Sequence, residues 1–169
     1  MTPAELLTDV FERILQTATA AVEDLTEEQL ATRVGPEANS IAWLVWHLAR
    51  VQDDHVADVA GTEQVWTAQD FVSRFDLPFD TDAIGYGMSS EDVGHVRAEA
   101  GLLADYVRAV HEATIAYVST LTPDDLDRVV DERWDPPVTL GVRLVSVIGD
   151  DLQHAGQAAY VRGLLSSAS

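Results

Sequence analysis

The chain has 169 residues, 47% hydrophobic and 23% charged, with a net charge of −19, ten basic residues and no cysteine. This length suits a single domain over residues 1–169. The charge argues against nucleic-acid or anionic-membrane binding in the absence of a basic patch, and the missing cysteine removes disulfides, thiolate metal sites and a cysteine nucleophile.

In chain order, Thr2, Pro3 and Glu5 supply an N-cap, an N1 proline and the acid of a capping box. Leu7, Val10, Phe11, Ile14, Ala18 and Ala21 then repeat at three and four, which predicts an amphipathic helix to about residue 23. LTEEQLATRVGPEANS reads as a short helical turn and a Gly-Pro break. Asn39 and Ser40 can cap a second long helix from Ile41 to about Ala60, stopped by Gly61.

Residues 62–89 are long for a connection, and their aromatics (Trp66, Phe71, Phe75, Phe79, Tyr86) predict a segment packed onto the domain, with a small helix near Thr67–Phe75 and a GYGMSS turn. Ser90 can cap a third long helix, from Glu91 to about Thr120. Its apolar face would carry Leu103, Tyr106, Val110, Thr114 and Tyr117. A short turn at Thr122–Asp125 leads into RVVDERWDPPVT, an extended crossover because Pro136 and Pro137 forbid helix. The last helix runs from about Leu140 to Leu165, before a frayed SSAS tail. Four long amphipathic helices and two long connections predict an all-α four-helix bundle with crossover connections. No apolar run reaches the ~18–20 residues of a membrane span, and MTPAELLTDVFERI does not read as a signal peptide, so a cytoplasmic protein is expected.

The chemistry is carried by few residues. Asp150 and His154 lie four apart on one face of the last helix, on a stripe with Leu140, Val147 and Val161 that should turn inward. His47 shares an inward stripe with Leu44, Val51 and Asp54. A lone inward histidine is usually a hydrogen-bonded core residue, but a carboxylate in a bundle seam needs a partner, and the sequence has no lysine. Arg143 or Arg162 could serve. Together, His47, Asp150 and His154 would give a divalent metal three protein ligands and an open fourth position, the pattern of a catalytic zinc site; nickel or iron would also fit. Asp151, three residues before His154, could replace Asp150 on spacing alone, although it reads better as a helix-face charge. Asp54 is a candidate to hold the His47 imidazole, with a solvated acid as the competing reading. His55, His95 and His111 lack such partners, and Gln157 and Tyr160 could reach a substrate.

LTEEQLATRVGPEANSIAWLVWHLAR and DDLQHAGQAAYVRGLL resemble the two signature segments of the DinB/YfiT superfamily of metal-binding bundles. The resemblance covers nearly the whole chain and implies His47, Asp150 and His154 as ligands. Most members have histidine where this chain has Asp150; a carboxylate there resembles the mycothiol-dependent maleylpyruvate isomerase branch. The resemblance implies a thiol-dependent S-transferase or isomerase acting on a small electrophile, with homodimerisation a family habit. The arginine-only, alanine-rich composition fits an actinobacterium, in which the thiol would be mycothiol. Two alternatives stand beside this reading: a metal-dependent hydrolase of small esters or amides, and a non-catalytic metal-binding stress or interaction protein.

Overall fold

The computed structural model describes residues 1–167. Helix α1 (Pro3–Val22) opens with the expected capping box: the Thr2 hydroxyl accepts from Glu5 N at 3.2 Å, and Glu5 Oε2 accepts from Thr2 N at 2.7 Å. After a short α2 (Glu27–Ala31), α3 (Ile41–Ala60) starts at Ser40, whose hydroxyl accepts from Trp43 N. It ends where Gly61 adopts a left-handed conformation with φ +68°, which glycine reaches at no steric cost.

The expected helix at 67–75 is two short ones, α4 (Val65–Ala68) and α5 (Phe71–Phe75), divided where Asp70 takes φ +57°. The expected helix 91–120 is also divided, into α6 (Ser90–His95) and α7 (Ala100–Val118). Between them Val96 and Ala98 are buried while Arg97 and Glu99 are exposed. That is a period of two, so this stretch packs as extended chain and cannot continue a helix. Ser89, not Ser90, caps α6, through a box with Asp92. Ser90 instead receives Arg33, which bonds its carbonyl at 2.7 Å and its hydroxyl at 2.9 Å.

The crossover at 128–139 is extended, as its prolines require, and folds into a small antiparallel hairpin of β1 (Val129–Asp131) and β2 (Val138–Thr139). Helix α8 (Leu140–Ser167) then runs two residues beyond the expected end into the serine tail; Ala168 and Ser169 lie outside the described residues.

The long helices α1, α3, α7 and α8 form the expected bundle. Helices α1 and α3 each pack on both α7 and α8, so α1 faces α3 across one diagonal and α7 faces α8 across the other. Asp53 meets Tyr106 and Val59 meets Tyr117, so α3 and α7 run parallel. His47 meets Asp150 and His55 meets Arg143, so α8 runs antiparallel to α3. The connections into α3 and α8 therefore cross the bundle ends, which two hairpin loops could not do. Phe11, Ile14, Leu44, Leu103, Tyr106, Leu140 and Leu144 fill the centre. Among the described residues no helix is long and apolar enough to cross a membrane.

Candidate metal centre

Helix α3 is unusual in being buried on all sides from Ile41 to Asp53. The bundle covers one face, and the segment 62–99 covers much of the other. His47 therefore lies under a loop as well as in the α3–α8 seam. Its Nδ1 meets the Ile84 carbonyl, which fixes that nitrogen as the N–H donor and leaves the Nε2 lone pair free. Gly85 makes this approach feasible. A Cβ there would lie 2.3 Å from His47 Nδ1, and the residue holds φ +104°, so glycine is required on both counts. Tyr86 and Trp43 complete the enclosure: Trp43 stacks on the His47 ring at 4.5 Å between centroids, and Tyr86 meets it edge-on at 5.3 Å.

Opposite, α8 presents Asp150 and His154 from successive turns. Asp150 Oδ2 is 3.8 Å from His47 Nε2, and Asp150 Oδ1 is 3.7 Å from His154 Nε2. His154 Nδ1 lies 2.9 Å from Gln157 Oε1, so Gln157 accepts the other ring proton and leaves Nε2 turned to the site. One ligand-type atom from each of His47, Asp150 and His154 falls within 4.8 Å of the others. A tetrahedral ion bound at about 2.0–2.1 Å would set its ligand atoms about 3.3 Å apart, a contraction that small side-chain rotations can deliver.

The local electrostatics suit a cation. Burial above all, and then the charge of His154, holds His47 below the ordinary histidine value, against the pull of the Ile84 carbonyl and Asp150. The ring is therefore neutral near pH 7, as a metal ligand must be. Asp150 Oδ2 is buried with no hydrogen-bond partner. The arginines that could have neutralised it are engaged elsewhere: Arg143 bonds Asp131 at 3.2 Å and lies 3.2 Å from His55 Nδ1, while Arg162 bonds the Ala21 and Glu23 carbonyls. An orphaned carboxylate oxygen between two imidazole nitrogens fits a divalent ion, because such an atom is otherwise costly to bury.

Two readings of the neighbouring acids are corrected. Asp151 is not a helix-face charge: it is fully buried on the core stripe with Leu144, Val147 and Ala155, and neither of its oxygens has a partner. Burial, reinforced by Asp150, pushes its carboxyl well above the usual range. The group of metal-competent side chains that converge includes Asp150 and not Asp151. Asp54 does not hold His47. It accepts from Gln64 at 2.8 Å and sits 3.7 Å from His55, and the Ile84 carbonyl takes the role expected of it.

Of the other candidates, His111 pairs with Glu12 at 3.3 Å and His95 is exposed, both away from the centre. Tyr160 is exposed, and Gln157 acts on His154. Trp43, Ile84 and Gly85 were not singled out from the sequence. The GYG turn was the available signal, but nothing in the residue order says that it lands on His47.

One turn beyond His47, Arg50 and Asp53 build a separate buried network. Asp53 accepts from Val65 N and Trp66 N at 2.8 Å each and from Tyr106 at 2.9 Å, with Arg50 at 3.7 Å. A largely apolar groove of about 440 Å³ lies beyond it, between α3, α4 and α7, and contains none of the three converging residues.

The model of one protein family, described as mycothiol-S-transferase, matches residues 6–167. Among solved structures, the crystal structure of a conserved protein from Enterococcus faecalis is similar at 30% identity, with a TM-score of 0.91 and 99% of each chain covered. A search of curated proteins finds no match.

Proposed function

The chain belongs to the mycothiol S-transferase family, and on that premise we propose that His47, Asp150 and His154 hold one divalent metal ion with which the protein joins mycothiol, through its sulfur, to a small electrophile. The observation that carries this reading is the convergence of two imidazole Nε2 atoms on a carboxylate whose buried oxygen has no hydrogen-bond partner. Three protein ligands leave one coordination position for an exogenous group. A divalent ion in such a set supplies the positive charge that lowers the pKa of a coordinated thiol toward neutrality.

The residues of the chain do the rest. Ile84 and Gln157 hold the two imidazoles with Nε2 facing inward, a role whose loss typically weakens metal sites many-fold. Trp43 walls the site against water. Burial, then Asp150, Asp151 and Asp54, push the Tyr86 phenol above its ordinary value, so it stays a protonated donor beside the site. Asp150 is the only anionic member of the set, and its charge limits how strongly a bound thiol is acidified. With no cysteine in the chain, the sulfur nucleophile has to come from a small molecule. Zinc is the ion that best suits two imidazoles and one carboxylate, with nickel and iron fitting the same donors.

Elemental analysis of the purified protein should give about one divalent ion per chain, and His154→Ala should reduce it to background. The metal-loaded protein should accelerate conjugation of mycothiol to a halonitroarene or bimane, and the variant should not. Hydrolysis of small esters without thiol, with no thiol conjugation, would replace this reading by the hydrolase. Full metal retention in His154→Ala would place the ion elsewhere.

A further inference from the structure

The metal-binding trio occupies one end of a longer groove between α3 and α8. Asp54 follows His47 by seven residues on α3, and Arg143 precedes Asp150 by seven on α8, so both continue the faces that build the centre. A rise of ~1.5 Å per residue puts them about 10 Å along the helices from it. There a cavity of about 380 Å³ is lined by Asp54, His55, Asp58, Thr62, Arg133 and Arg143, and Ala57 is its one apolar residue among those described. The volume is that of a small-molecule site, but the apolar walls such sites usually have are missing.

The polar groups are held in place and only partly used. Buried Asp131 accepts from Arg133 Nε and Nη2 at 2.9 and 2.8 Å and from Arg143 Nη2 at 3.2 Å, which fixes both guanidiniums and leaves Arg133 Nη1 to donate. Arg143 Nη1 lies 3.2 Å from His55 Nδ1; because a guanidinium only donates, that nitrogen accepts, and the ring proton sits on Nε2 as a further donor. On the acceptor side, Asp54 Oδ1 takes Gln64 at 2.8 Å while Oδ2 stands 3.7 Å from His55 Nδ1. Asp58 is exposed on the next turn of α3.

Charge decides between ligand classes. Three carboxylates (Asp54, Asp58, Asp131) stand against two guanidiniums, so a carboxylate or phosphate would meet a surplus of acid. A cation would have to approach two fixed arginines. A neutral polyol suits both sets of groups, since each of its hydroxyls donates one hydrogen bond and accepts others.

We propose that this pocket is a polyol subsite, which holds the hydroxylated rings of the thiol cosubstrate while its sulfur reaches the His47, Asp150 and His154 centre. In mycothiol a cysteine is joined by an amide to a glucosamine that carries an inositol, so sulfur and polyol lie at opposite ends of the molecule, as the two sites lie at opposite ends of the groove. Which molecule brings the rings rests on the thiol-transfer reading; the polyol chemistry of the pocket does not. The hairpin of β1 and β2 gains a role from this assignment, because it supplies Arg133 and the Asp131 that fixes both arginines.

Two measurements test it, with circular dichroism to verify folding. Saturation-transfer NMR on the purified full chain reads binding of glucosaminyl-inositol, the portion of mycothiol without sulfur, and needs no turnover. The wild type should bind it. The double variant Asp58→Ala/Arg133→Ala, at two exposed positions, should weaken binding about tenfold or more, and Asp105→Ala on the outside of α7 should leave it unchanged. Steady-state conjugation then compares mycothiol with N-acetylcysteine, which lacks the rings: the double variant should lower the preference for mycothiol about tenfold, through KM. Saccharide binding that the double variant abolishes, without conjugation of any thiol, would support the subsite and end the thiol-transfer reading. Thiol conjugation by a protein that does not bind the saccharide, or a preference that survives the double variant, would overturn the subsite and leave that reading standing. Binding of succinate in place of the saccharide would assign the pocket to an anion and overturn the subsite as well.

Discussion

Asp53 on α3 and Asp151 on α8 are buried to nearly the same degree, 4% and 0% exposed, yet the fold surrounds them in opposite ways. Asp53 receives two backbone N–H groups and the Tyr106 hydroxyl, with the Arg50 guanidinium beside it. Asp151 receives nothing, and its neighbour Asp150 has a buried oxygen equally bare. Burial pushes both Asp53 and Asp151 up. At Asp53 the partners pull back, whereas at Asp151 the adjacent Asp150 pushes further. The first carboxylate is part of what holds α3, α4 and α7 together. The second belongs to a pair of acids that only proton or metal binding relieves. Burial of an acid therefore does not distinguish architecture from chemistry; the count of its partners does.

The largest test of this contrast is Asp53→Ala. The change strands two N–H groups, a hydroxyl and a buried guanidinium whose Nη2 already lacks a partner. Removing one member of a buried, hydrogen-bonded charge pair costs about 3–5 kcal/mol. Urea unfolding of the metal-free variant should show that loss, while the fraction that folds should still take up metal. Wild-type stability in the variant would mean that Asp53 is not architectural.

Gly85→Ala sharpens the contrast from the other side. It should cost roughly 1–3 kcal/mol, from strain at positive φ and from overlap with the imidazole. Because the atom displaced is His47 Nδ1, metal affinity should also fall, which Asp53→Ala should not cause. A zinc titration of the folded variant reads this directly; unchanged affinity would mean that the loop does not position His47.

How far the two regions could be read from residue order differs for a physical reason. The bundle and the ends of its helices follow from local signals: Thr2 with Glu5, Ser40 before Ile41, Gly61 after Ala60. The trio on α3 and α8 was legible because an i,i+4 clip and one inward histidine leave a periodic trace. Asp151 was misread because adjacent acids look alike in sequence, and a rotation of about 100° per residue alone decides which enters the core. The Arg50–Asp53–Tyr106 network was missed because its partners are backbone groups of a distant turn, which carry no side-chain signature. The break at Val96–Glu99 hid behind residues that suit either helix or strand.

A smaller effect is expected at Asp150→Ala. The metal-free protein should change by no more than about 1 kcal/mol, in either direction, since the carboxylate removed has one oxygen buried without a bond. The expected difference appears only with the ion. Added zinc should raise the melting temperature of the wild type by mass action and leave the variant unmoved. Equal thermal shifts in both would transfer the ligand role to another group.

The smallest effect lies two turns along the same α3–α8 groove, where the side chains are paired. His55 lies between Arg143 and Asp54, and Arg143 in turn reaches Asp131. Burial first, then Arg143, holds His55 below the ordinary histidine value, against Asp54, Asp58 and Asp150. A lowered value means that the folded protein binds this proton less readily than the unfolded chain. The stabilising contribution is therefore complete above the unfolded value of about 6.5 and fades as pH falls through the folded value. His55→Gln, measured in chelator, should flatten the stability profile below about pH 6.5, because the group whose proton uptake favours the unfolded chain is gone. If the slope persisted in the variant, the titration would belong to another group in the metal-free protein. If it vanished, the paired end of the groove would account for its own pH response, and any further dependence seen with metal present would report the unpaired end.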